Sequence, residues 1–102
     1  MNTFTVIYVK GRSRGKGYFA QFEPLGDEIR HVVETSNRAF AYVKTYEHLA
    51  KLGMGIFAMA GTGDGNPLDF TAAERKFVED SGIPFDSRPR SGFRIEKIIK
   101  EK

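Results

Sequence analysis

With 102 residues, 40% of them hydrophobic, the chain holds enough apolar material for one packed core and no stretch that reads as a linker to a second. Cysteine is absent, which excludes disulfides and thiolate zinc sites and fits a reducing compartment. The net charge of +3 is mildly basic and far from a histone-like composition.

Residues 1–9 carry neither the basic start nor the apolar run of about 7–15 residues that mark a secretory signal, and no apolar stretch has membrane-spanning length. The cytoplasm is therefore the expected compartment. Charge is distributed unevenly: residues 1–51 hold eight cations and five acids, residues 52–102 eight of each. Four of the cations, Lys10, Arg12, Arg14 and Lys16, fall within seven residues that contain no acid.

Residues 3–9 form a run of β-branched and aromatic side chains with almost no polar interruption, which predicts a central strand with both faces covered. Gly11, Gly15 and Gly17 punctuate the basic stretch and suggest a hairpin loop over 10–16. A second strand is expected over 18–23, with Tyr18, Ala20 and Phe22 on one face and Phe19 and Gln21 on the other. Pro24 and Gly26 end it, and 28–35 supplies a third strand with Ile29, His31 and Val33 on one side.

Ser36 or Asn37 can cap a helix, and the following residues repeat at helical spacing. A helix is predicted over 37–52 with Ala39, Val43, Tyr46 and Ala50 on its apolar stripe, Phe40 and Leu49 beside it, Thr45 as a second start and Gly53 as its stop. Residues 56–60 are short and apolar and read as a buried strand. Thr71 and Glu74 form a capping box for a second helix with Ala73, Phe77 and Val78 inward. Gly82 ends it, and Ile83, Pro84 and Phe85 tuck against the core. From Phe93, the spacing of Ile95, Ile98 and Ile99 predicts a short C-terminal helix, with lysines near its end favouring the dipole. The expected architecture is an α+β domain spanning 1–102. It has a three- or four-stranded, mostly antiparallel sheet with two main helices on one face, in the order β-β-β-α-β-α plus that short helix.

The glycines of 61–65 do not run directly into a helix and lack the Gly-Lys-Ser or Gly-Lys-Thr of a phosphate loop, so a connecting loop is expected there. Asp64, Asn66 and Asp69 have the wrong spacing for calcium. His31 and His48 are far apart in sequence, without an acid or nucleophile placed to make a triad, and read as hydrogen-bonded structural histidines. No metal, cofactor or catalytic set is expected, so the chain reads as a non-enzymatic protein.

The basic stretch remains. Four cations on a glycine-rich loop make a mobile finger able to follow a phosphate backbone, with Phe19 and Gln21 beside it for stacking and hydrogen bonding. Arg88, Arg90 and Arg94 form a second cluster that would merge with the first if the fold brings them together. The expectation is a small binding or regulatory protein that contacts DNA or RNA through Lys10, Arg12, Arg14, Lys16, Phe19, Arg88 and Arg90. The alternative is an adaptor or inhibitor that binds another protein by a sheet edge or an exposed aromatic face.

Overall fold

The opening run of β-branched and aromatic residues becomes β1 (Asn2–Arg14), the strand around which the sheet is built. The structure, a computed structural model, describes residues 1–14, 21–52, 55–57, 70–83 and 91–101. After β1 come β2 (Gln21–Pro24), β3 (Ile29–Thr35), α1 (Arg38–Ala50), β4 (Gly55–Phe57), α2 (Ala72–Asp80) and β5 (Ser91–Glu101). This is the expected α+β class and order up to α2. The five strands make a sheet four strands wide, because β2 and β3 lie end to end along one edge of β1. β5 runs along the other edge, with β4 beyond it. Among the described residues every pairing is antiparallel except that of β4 with β5.

Strand alternation sends Phe4, Val6 and Tyr8 towards the helices and Thr5, Ile7 and Val9 to the opposite face. All six are buried, so β1 is central with both faces covered, as its continuous apolar run implies. On β3 the expected side, Ile29, His31 and Val33, pairs in register with Tyr8, Val6 and Phe4.

The last segment departs from expectation, because it is a strand rather than a short helix. The cause is a bulge. Opposite β1 the register passes from Ile7 and Lys97 directly to Tyr8 and Ile95, so Glu96 is the extra residue. Ile95 is in the core and Ile98 packs against it, three positions away instead of two. An insertion of one residue thus imitates helical spacing.

α1 begins where its cap predicts, with Asn37 Oδ1 accepting from the Phe40 backbone N–H at 3.1 Å. Its inner face is rotated from the predicted stripe. Tyr42, Thr45 and Leu49 are fully buried, Ala39 and Val43 buried, Tyr46 half-buried, and Phe40 and Ala50 exposed. Thr45 sits inside the helix and starts nothing. The predicted stop at Gly53 lies outside the described residues; Lys51 caps the helix.

The capping box of α2 is present in both directions between Thr71 and Glu74. Val78 is fully buried and Phe77 partly so, while Ala73 is exposed and does not belong to the inner face. Gly82 adopts φ 87° just beyond the helix, in the left-handed region that favours glycine. Ile83 then returns to the core, while Pro84 and Phe85 lie outside the described residues. Phe40 and Phe77 bring the two helices together with ring centroids 4.4 Å apart. Among the described residues no helix is long and apolar enough to cross a membrane.

Candidate nucleic-acid interface

Lys10, Arg12 and Arg14 belong to β1 and not to a loop, which corrects the expectation of a mobile finger over these positions. Lys10 and Arg12 pair with Phe93 and Ser91 of β5, and Arg12 and Arg14 pair with Glu23 and Gln21 of β2. Gly11 is also not a turn glycine. A Cβ there would strike the ring of Phe22 and stand 2.6 Å from the carbonyl oxygen of Glu23. Glycine is what lets β2 close on β1 at this point.

Within a strand, every second side chain shares a face. Lys10, Arg12 and Arg14 therefore form a row, with about 6.6 Å of rise from one cation to the next. All three are exposed. Gln21, opposite Arg14, lies on the same face and is exposed too.

One carboxylate serves two of these cations. Oε2 of Glu23 accepts from Nε of Arg12 at 3.1 Å and stands 3.1 Å from Nε of Arg14. The three side chains are 38–67% exposed, so these ion pairs are screened and hold the guanidiniums only weakly. Glu23 carries no signal in the sequence; only the hairpin register sets it beside Arg12 and diagonal to Arg14.

Arg94 takes the other face. It pairs in register with Val9, its guanidinium lies 4.5 Å from the ring centroid of Phe22, and Glu96 binds it at 2.7 and 3.0 Å. It does not join the row, which overturns the expected merging of the two clusters as far as Arg94 is concerned. Lys16, Phe19, Arg88 and Arg90 lie outside the described residues. Ser91, which follows Arg90 in sequence, pairs with Arg12.

The two histidines, distant in sequence, are stacked in the fold with centroids 4.5 Å apart and planes 15° from parallel. Nδ1 of His31 is 3.0 Å from Oγ1 of Thr45. Burial, and next the neighbouring His48, lower the pKa of His31 from its ordinary value. Among the described residues no group of three or more His, Cys, Asp or Glu side chains could hold a metal ion. His31 is half-buried and within hydrogen-bonding distance of Thr45, as expected of it. Residues 61–68, where a connecting loop is expected, lie outside the described residues.

No family model, no curated protein and no solved structure matches the chain.

Proposed function

We propose that this is a non-enzymatic binding or regulatory protein of the cytoplasm that contacts DNA or RNA through the cation row of Lys10, Arg12 and Arg14. The observation that carries the reading is their alternation on one exposed face of a strand that β5 pairs at Lys10 and Arg12 and β2 pairs at Arg12 and Arg14. A row of cations on an ordered strand can follow successive phosphates with less ordering cost than a loop of the same composition. Against these three cations the ribbon sets a single acid, Glu23, whose exposed ion pairs a phosphate can displace. Gln21 adds a hydrogen-bonding amide on the same face. Lys16, Phe19, Arg88 and Arg90 complete the proposed interface on the strength of the sequence alone.

Contacts of this kind position a backbone without reading bases, so the expected binding is salt-dependent and tolerant of sequence. Titration against duplex DNA, single-stranded DNA and RNA over a range of salt concentrations tests it. Binding at low salt no tighter than roughly millimolar would remove the support for this function.

The second reading is a protein-binding role. The observation that favours it is the long outer edge of β3, which pairs only with β1 among the described residues.

A further inference from the structure

An unpaired strand edge presents a row of backbone N–H and C=O groups, and folded proteins usually shorten or interrupt such edges. Among the described residues two edges of this sheet are short or interrupted: β4 has three residues, and β2 has four and ends in Pro24, which has no N–H. β3 differs. It runs for seven residues, Ile29–Thr35, with no proline, glycine or lysine.

Its side chains carry a pattern. On the face away from the helices stand Arg30, Val32 and Glu34, all exposed, with Val32 at 62%. Neither Arg30 nor Glu34 has an ion-pair partner among the described residues. A cation and an acid placed symmetrically about an exposed valine make this strand complementary to itself. From this we infer that the occupant of the edge is a second copy of the same chain, bound by antiparallel pairing of β3 with β3 across a twofold axis at Val32.

In that register Arg30 lies opposite the partner's Glu34, Glu34 opposite the partner's Arg30, and Val32 opposite the partner's Val32. On the helix-side face, Ile29, 43% exposed in the single chain, meets the partner's Thr35. Moving the axis by one residue, to His31 or Val33, sets Val32 against a charge and leaves the opposite charge unmatched. The charges therefore fix the register, and a twofold axis closes the assembly at two chains. The product is one sheet continuous across the pair, with the two cation rows at opposite ends. The inference does not depend on whether those rows bind nucleic acid.

A single strand pair is a small interface, so the expected dissociation constant is roughly micromolar. The experiment is sedimentation velocity on the nuclease-treated full chain, comparing the wild type with R30E, E34R and the double variant R30E/E34R, with thermal melts to show that each folds. Both positions are exposed, so all four proteins are expected to melt alike at concentrations well below the dissociation constant, where dimerisation adds no stability. Each single reversal sets like charges opposite one another twice, once on either side of the axis, and should weaken dimerisation about tenfold or more. The double reversal restores both pairs and should bring the affinity back to within about threefold of wild type. Two results would overturn the inference: a wild type still monomeric at roughly 1 mM, or a dimer indifferent to the single reversals or not restored by the double one.

Discussion

Arg38, the first residue of α1, grips Glu74 in the first turn of α2 through two hydrogen bonds of 2.6 and 2.7 Å. The same carboxylate accepts the backbone N–H of Thr71 at 2.9 Å, while Thr71 Oγ1 accepts the N–H of Glu74 at 3.2 Å. One side chain thus closes the capping box and fastens the two helices together. Thr71→Ala should cost about 1 kcal/mol, the usual loss for a cap. Glu74→Ala should cost about 2 kcal/mol, since the charge-assisted pair with Arg38 is lost as well. Urea denaturation compares them, and equal costs would mean that the Arg38 contact contributes nothing to stability.

The same contact sets an acid limit on the fold. The hydrogen bond from Arg38 is the largest cause that holds Glu74 at a pKa of about 2, below its ordinary 4.5, and Thr71 and the charge of Arg38 add to it against the opposing effect of burial. The folded state binds this proton less readily than the unfolded one. Its stabilising contribution is therefore complete above pH 4.5 and is lost as the pH falls towards about 2. Arg38→Gln should flatten that part of the pH–stability curve. An unchanged slope would assign the acid loss to other carboxylates.

A second window opens nearer neutrality. His31 has a pKa lowered from 6.5, by burial and then by His48. Below pH 6.5 the unfolded chain takes up a proton that the folded one resists, so stability is full above this value and declines beneath it until His31 itself protonates. His48→Gln removes the neighbouring charge and leaves burial in place, and should make the decline smaller without abolishing it. Thermal melts across this range compare the two proteins. If the variant declined as steeply as the wild type, burial alone would account for the shift.

Gly11→Ala tests how closely β2 approaches β1. The Phe22 ring could swing aside to admit a methyl group, but the carbonyl of Glu23, 2.6 Å from the added atom, belongs to the ladder and cannot. Swinging Phe22 away would also strip the ring from beneath Arg94. We expect a loss of about 1–3 kcal/mol, as for overpacking. Gly26→Ala, where nothing stands within 4 Å of the added atom, should cost far less. Equal effects would contradict the close approach.

The sequence made some of this architecture plain and concealed the rest. Local chemistry was legible: the Asn37 cap, the Thr71 and Glu74 box, the left-handed Gly82 and the continuous apolar run of β1 each announce themselves within a few residues. What failed were readings in which two structures share one local pattern. Ile95 and Ile98 look helical because Glu96 is bulged, and Gly11 looks like a loop residue because crowding by Phe22, which arrives from another strand, leaves no mark nearby. Long-range partners were invisible for the same reason. Nothing local ties Glu23 to Arg12 and Arg14, sets His48 on His31, or separates Arg94 from the cation row by turning it to the opposite face.

The cation row itself yields the most discriminating prediction, because the structure supplies a substitution that should strengthen binding as well as one that should weaken it. Lys10, Arg12 and Arg14 sit in a strand, so threonine, a good strand former, is a better replacement than alanine. The ion pairs of Arg12 and Arg14 with Glu23 are exposed, and the triple variant Lys10→Thr, Arg12→Thr, Arg14→Thr should melt within a few degrees of the wild type. If the row tracks phosphates, the slope of log affinity against log salt should fall by somewhat less than one unit for each cation removed. Glu23→Gln acts in the opposite direction. It releases both guanidiniums from the carboxylate they share and removes an acid from the face of the row, so affinity at low salt should rise several-fold and the gain should shrink as salt screens it. A protein that bound nucleic acid elsewhere would show neither the lowered slope nor the gain. A fluorescence titration of the three proteins at several salt concentrations separates these cases, and unchanged affinity in both variants would remove the row from the interface.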